Sequence, residues 1–391
     1  MARRIAVVTG TRADYGLLYW LVHDLHAAPD FELQLVVTGM HLMARFGRTV
    51  EVIERDGFPI AAKVDLRLED DSSLAVARAI GTGTAGLADA FARLQPDWVV
   101  ILGDRFEALA AACAAFTLRL PIAHLHGGEI TEGALDDGYR HAITKLAALH
   151  FTAAKPYRRR VIQMGEPSER VYNVGAPGLE HWVRTPLLSR SELERALDFE
   201  LGEPTLLVTF HPVTLDEGSP ADQCRELLAA LDAFGQARIV FTMPNADPGG
   251  AAIIPLLEEY VARHPQRCRL FASLGQQRYL SLLRHVQAVV GNSSSGIIEA
   301  PSAGCATVNI GDRQRGRLRA ASVIDCAPRR SDIEAAIRRA LDPAFRATLR
   351  EVRNPYGDGH VAARILRVLR EADPRALLRK PFHDLPGVTD G

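Results

Sequence analysis

Five cysteines are scattered over 391 residues, and no two have CxxC spacing. That excludes a disulfide framework and a cysteine zinc site, and it fits buried thiols in a reducing compartment. An excess of charge of either sign is also missing, because the formal net charge is -1. A broad nucleic-acid surface needs a clustered basic excess, so nucleic acid is excluded as a partner, whereas a small anion needs only a few local arginines. No stretch approaches the roughly 20 apolar residues of a membrane span. The longest candidate, Ala108–Phe116, is alanine-rich, flanked by charge, and reads as a buried helix. After Arg3-Arg4 the apolar run is only Ile5–Val8, too short for a secretion signal, so no membrane contact is expected and the cytoplasm is the expected location. No short-period repeat is present.

What is there is a globular composition, 47% hydrophobic and 24% charged. The length exceeds one usual domain and predicts two. Short β-rich runs alternate with amphipathic ones. Ile5–Thr9, Leu33–Thr38, Trp98–Leu102, Ile122–Leu125, His150–Thr152 and Val171–Val174 read as strands, with helices at Leu17–Ala27, Arg105–Leu118 and Tyr139–Leu149. The rhythm breaks at Gly175-Ala176-Pro177-Gly178 and restarts with a strand at Leu206–Phe210. The expected fold class is α/β, two Rossmann-like doubly wound domains facing a central cleft. The expected domains are 1–177, carrying acid–base residues, and 178–355, binding a nucleotide. A helix at 356–372 would pack back on the first domain, and 373–391, with three prolines, would be an irregular tail.

Open parallel sheets bind ligands beyond the carboxyl ends of their strands, so the residues following each strand are the candidates. Gly10-Thr11-Arg12-Ala13-Asp14-Tyr15-Gly16 follows the first strand; it is either a plain turn or an anion-binding turn with Arg12 pairing to phosphate. Gly103-Asp104-Arg105 follows Leu102. His124-Leu125-His126-Gly127-Gly128-Glu129 ends the next strand and leads to Asp136-Asp137-Gly138-Tyr139-Arg140-His141. The glycine pair permits close backbone approach to something. Carboxyl groups of Asp104, Glu129 and Asp136 or Asp137 would then converge, and grouped carboxylates have pKa values pushed apart, which supplies an acid and a base. His124 and His126, on one strand face, could join Glu129 as metal ligands, but no further ligand spacing follows and no metal is expected.

In the second half His211, then Asn245 and Asp247, then Asn292-Ser293-Ser294-Ser295 follow successive strands. Serines before a helix offer donors to a diphosphate, and Glu299 could accept from ribose hydroxyls. Arg313 lies in a locally basic stretch after the strand Thr307–Ile310. Gly81-Thr82-Gly83-Thr84-Ala85-Gly86 fits the dinucleotide pattern in letters only. It follows a helix rather than a strand, so an NAD site is rejected.

Together, Thr9–Gly16, Gly103–Arg105, His126–Glu129 with Asp136-Asp137…Arg140-His141, His211-Pro212, Gly291–Ser294 and Gly357–Gly359 resemble the UDP-N-acetylglucosamine 2-epimerase family, hydrolysing branch. The resemblance runs from Thr9 to about Leu369. It implies two Rossmann-like domains arranged as in GT-B glycosyltransferases. It implies UDP held by Ser293, Ser294, Glu299 and Arg313 with Arg12, and His211 near the leaving phosphate. Arg105 and Arg140 would orient carboxylates or phosphate. Asp104, Glu129 and Asp136/Asp137 would be the acid–base groups. The implied reaction turns UDP-N-acetylglucosamine and water into N-acetylmannosamine and UDP through a glycal, in sialic-acid-type biosynthesis, with no cofactor and a homodimer or homotetramer as the assembly. His126 stands where animal relatives carry Glu, as in a bacterial subgroup acting on related UDP- or GDP-linked sugars of legionaminic acid pathways. A non-hydrolysing epimerase, a glycosyltransferase of the same architecture and a non-catalytic sensor are the rival readings.

Overall fold

The computed structural model describes residues 2–70, 72–131, 135–212, 219–244 and 250–384. The chain forms two compact units: the residues up to Glu180 together with those from Tyr356 onward, and His181–Pro355. The strands of the first unit are β1 Arg3–Thr9, β2 Phe31–Thr38, β3 Ile60–Val64, β4 Trp98–Leu102, β5 Ile122–Leu125, β6 Leu149–Thr152 and β7 Val171–Asn173. They form one sheet in the order β3-β2-β1-β4-β5-β6-β7, every pairing parallel. In the second unit β8 Thr205–Thr209, β9 Arg238–Thr242, β10 Cys268–Phe271, β11 Ala288–Gly291, β12 Ala306–Ile310 and β13 Val323–Cys326 form a parallel sheet ordered β10-β9-β8-β11-β12-β13. Both are doubly wound α/β sheets. Strand order reverses between β1 and β4 in one and between β8 and β11 in the other, where such sheets open a crevice at their carboxyl ends.

Burial on both faces explains the strand sequences. The run Ile5–Val7 and all of Leu206–Val208 are at most 1% exposed, so apolar residues continue along the strand instead of alternating. The helix Val361–Glu371 lies on the helix Arg12–Ala27, and its Val361, Ile365 and Leu369 share a core with Leu18, Leu21 and Leu25. Full burial of Ile365 and Leu369 contributes roughly 1.5–3 kcal/mol each. Glu180 fixes where the first unit ends. Its Oε2 accepts from the backbone N–H of Val361 (3.1 Å) and Ala362 (2.7 Å), capping that helix.

Several elements differ from their sequence reading. The edge strand β3 was not foreseen, because Ile-Ala-Ala-Lys-Val carries few β-branched residues. Gly81–Gly86 is continuous helix within Ser73–Leu94, not a break between helices. A Cβ on Gly83 would stand 2.5 Å from Leu66 Cδ2 and 3.3 Å from Ala110 Cβ, so this glycine allows close packing and binds nothing. The tail, read as irregular, carries a short helix at Pro374–Leu377, and Arg170 donates to the carbonyls of Leu377 (2.9 Å) and Arg379 (2.8 Å). No helix among the described residues is long and apolar enough to cross a membrane.

Candidate active site

Two helix starts lie earlier than the sequence suggested, and both reposition candidate residues. The first helix begins at Arg12, with Thr11 as its N-cap: Thr11 Oγ1 accepts from Asp14 N at 3.2 Å. Arg12 is therefore an exposed first-turn residue and Asp14 points back toward the sheet end. The helix expected from Tyr139 begins at Leu135, which puts Asp136 and Asp137 in its first turn, where the helix dipole favours negative charge.

Arg140 organises this corner. It is 5% exposed and contacts Asp104 through Nη2, Asp137 Oδ1 through Nη1 (3.0 Å) and Thr131 Oγ1 (3.0 Å). Asp137 Oδ1 also accepts from Thr131 N at 2.8 Å, and its Oδ2 lies 3.6 Å from His141 Nε2. Asp137 is thus committed to holding the helix and loop together. Asp136 is half-buried, and no described residue donates a hydrogen bond to its carboxyl. Burial, then the charge of Asp104, push that carboxyl above its ordinary pKa, against the pull of Arg105 and Arg140.

β5 ends at Leu125, and His126 takes a positive φ of 65°. This turn breaks the alternation that would have put His124 and His126 on one face. His124 is fully buried, with Nε2 2.7 Å from Gly103 O, and burial drops its pKa to about 3. His126 turns the other way: its Nδ1 lies 2.6 Å from Glu129 Oε1. The close approach that the glycine pair permits is made by the protein itself. At Gly128 (φ 81°) a Cβ would stand 2.4 Å from Tyr157 O and 2.9 Å from Val161 Cγ2. Gly128→Ala is expected to destabilise the protein by about 2–4 kcal/mol, from the left-handed backbone and overpacking together. An unchanged denaturation midpoint would contradict this.

Two residues that were passed over sit beside these. Glu107 is 2% exposed and accepts from Arg105 Nε and Nη2, both at 3.2 Å. Burial lifts the pKa of Asp14 to about 6, with Arg105 opposing and Glu107 assisting. His41, after β2, is fully buried between Thr9 Oγ1 (3.0 Å) and Thr49 Oγ1 (2.8 Å), and burial lowers its pKa to about 4. The available signal was position: both follow a strand within a few residues.

The second unit presents a different chemistry at its own strand ends. Asn292 clamps His211 through both backbone groups, accepting from His211 N (2.7 Å) and donating to His211 O (2.8 Å). Asn292 O in turn accepts from Arg313 Nη1 (3.2 Å) and Gln314 Nε2 (2.8 Å). Burial and the charge of Arg313 lower the pKa of His211 to about 4, so the imidazole is neutral near pH 7. Ser293 caps the short helix Ser294–Ile298, and Glu299 follows it. Burial raises the Glu299 carboxyl to about 7. Asn245 and Asp247 lie outside the described residues.

Residues 23–370 match the family described as UDP-N-acetylglucosamine 2-epimerase. The GDP/UDP-N,N'-diacetylbacillosamine 2-epimerase (hydrolyzing) of Campylobacter jejuni is 37% identical over 384 residues, 98% of this chain and 99% of that protein. The UDP-N,N'-diacetylbacillosamine 2-epimerase (hydrolyzing) of Legionella pneumophila is 38% identical over 371 residues, 95% of this chain and 96% of its own. Among solved structures, the UDP-GlcNAc 2-epimerase of Neisseria meningitidis bound to UDP-GlcNAc superposes with a TM-score of 0.79 at 18% identity, covering 94% of this chain and all of that one. The chain belongs to the UDP-N-acetylglucosamine 2-epimerase family, in its hydrolysing branch.

Proposed function

We propose that the protein converts a UDP-linked 2-acetamido sugar and water to UDP and the free 2-epimer, and that the sugar is of the N,N'-diacetylbacillosamine type in preference to N-acetylglucosamine. The observation that carries the reaction is Asp136, a carboxyl of raised pKa beside Asp104 and next to a neighbour, Asp137, already committed to Arg140. The preference for the sugar rests on the names of the two full-length relatives.

The C2 proton of such a sugar is not acidified by an adjacent carbonyl, so loss of the diphosphate must share the work. A carboxylate takes the C2 proton, the C–H electron pair forms the C1=C2 double bond, and the C1–O bond breaks with the electrons leaving on UDP. Water then adds its hydroxyl to C1 of the glycal and gives its other proton to a carboxylate, while a second carboxyl group, acting as the acid, delivers a proton to the opposite face of C2. One water is consumed and nothing is oxidised or reduced. Asp136 is the proton carrier at C2. Glu129, bonded to His126, is the second acid–base group. In the second unit the neutral His211, Ser293, Ser294 and Arg313 donate to the diphosphate as its charge grows, the stage at which donors accelerate the step. Glu299 is a partner for ribose hydroxyls.

The test offers UDP-N,N'-diacetylbacillosamine, its GDP-linked counterpart and UDP-N-acetylglucosamine side by side in D2O, with products followed by proton NMR. Free 2-epimer with deuterium at C2 is expected, fastest from the UDP-linked diacetamido sugar. An intact nucleotide-linked epimer would make the enzyme non-hydrolysing. UDP release that needs an added acceptor would make it a transferase, and saturable binding without turnover a sensor.

A further inference from the structure

At the carboxyl end of the helix Leu135–Leu146, opposite the end that carries Asp136, lies a buried ionic cluster that the proposed chemistry does not use. Glu166 is fully buried. Its Oε1 lies 2.6 Å from Lys145 Nζ, and its Oε2 lies 2.8 Å from Lys380 Nζ and 3.0 Å from His150 Nε2. Burial works against the charge of Glu166, but His150, Lys145 and Lys380 outweigh it and hold the carboxyl well below its ordinary range. The two lysines differ in standing. Lys145 is 39% exposed, whereas Lys380 is 18% exposed and comes from the segment after the last long helix.

Lys380 does more than neutralise Glu166. Its Nζ also donates to Lys145 O (2.6 Å) and Ala147 O (2.8 Å), carbonyls that the end of the helix Leu135–Leu146 leaves without an intrahelical partner. The tail is fastened on both sides of this residue. Before it, Arg170 holds the carbonyls of Leu377 and Arg379; after it, His383 N donates to Gly165 O at 2.9 Å, and the Phe382 ring sits 4.9 Å from Lys145 Nζ. The other end of the same helix carries Asp136, Asp137 and Arg140. A helix of that length is a rod of about 18 Å, so a shift at its carboxyl end moves its first turn. A second path runs through the sheet. His150 on β6 is the register partner of His124 on β5, and His124 Nε2 holds the carbonyl of Gly103, the residue before Asp104.

We propose that Lys380 is a positioning residue for the reaction proposed above: by capping the helix Leu135–Leu146 and neutralising Glu166, it sets where Asp136 and Arg140 stand relative to Asp104. The proposal rests on that reaction for its kinetic consequence. Its structural consequence is independent of it.

Lys380→Met removes the donor and the charge while keeping the stem. It is expected to speed amide hydrogen exchange in residues 135–147 with little change in the second unit, and to lower kcat about tenfold or more with KM within about twofold. Lys380→Arg is expected to restore most of both. If Lys380→Met does not fold, Lys380→Gln, which keeps N–H donors without the charge, replaces it. Wild-type kcat in Lys380→Met or in its Lys380→Gln replacement, or a fall in kcat without faster exchange in 135–147, overturns the proposal. A rise in KM at unchanged kcat overturns it too. A wild-type enzyme that turns over none of the nucleotide sugars would instead sink the reaction. The exchange comparison, run on the unliganded proteins, would still decide whether the tail holds the helix.

Discussion

Asp136→Asn is expected to lower kcat by about 10²–10⁴-fold, the usual weight of one general acid–base group. KM and UDP affinity are expected to stay within about twofold. The substitution keeps size and polarity and removes only the capacity to move a proton. It should also leave stability intact, and the sign follows from the raised pKa. A carboxyl whose folded pKa lies above its unfolded value favours the protonated form in the fold. Its contribution is full below the unfolded pKa and is lost as pH rises through the folded one. Asparagine mimics the protonated form at every pH, so the variant is expected to be at least as stable as wild type at pH 8. Asp137→Asn should behave in the opposite way, losing stability, because that carboxyl accepts from Thr131 N and Arg140. Kinetics and thermal melts of the two variants at pH 6 and pH 8 check both. A fully active Asp136→Asn protein would remove Asp136 from the reaction.

The strands that shape both switch points were legible because apolar residues run through them in unbroken stretches, and burial on both faces demands that pattern. Helix starts were harder. Gly10 and Gly16 bracket a stretch that looks like loop, yet Thr11 caps a helix that begins at the next residue. That misplacement matters chemically. Once the helix is known to start at Leu135, both aspartates fall within helical reach of Arg140, Asp137 at i,i+3 and Asp136 at i,i+4, so spacing alone does not distinguish them; the hydrogen bonds from Arg140 and Thr131 to Asp137 do. What no spacing rule reveals are contacts across the chain. Asn292 and His211 are 81 positions apart, and Lys380 and Glu166 meet only because the tail returns over the first unit. Gly127 and Gly128 were read as permitting a close backbone approach, and what approaches is Tyr157 O at Gly128 and the His124 and Thr144 side chains at Gly127.

Arg140→Met is expected to cost about 3–5 kcal/mol of stability at pH 7, the cost of breaking a buried ion pair and leaving its partners uncompensated. The arginine is 5% exposed and faces two carboxylates, with side chains 22% and 24% exposed, that belong to different elements: Asp104 after β4 and Asp137 on the helix Leu135–Leu146. Arg140→Lys should recover only part of this, because the N–H groups of an ammonium all radiate from one nitrogen, whereas the planar fork reaches Asp137 from Nη1 and Asp104 and Thr131 from Nη2. The cause can be isolated by removing the orphaned charges. With Asp104→Asn and Asp137→Asn added, Arg140→Met should regain at least about 1–2 kcal/mol, a coupling of the size contacting residues show. Urea denaturation of the single, double and triple variants measures that coupling. A loss in Arg140→Met below about 0.5 kcal/mol, the scatter of ordinary surface substitutions, would mean that Arg140 does not bind the helix to the loop after β4. An unchanged loss in the triple variant would mean that packing by the arginine stem, and not its charge, accounts for the effect.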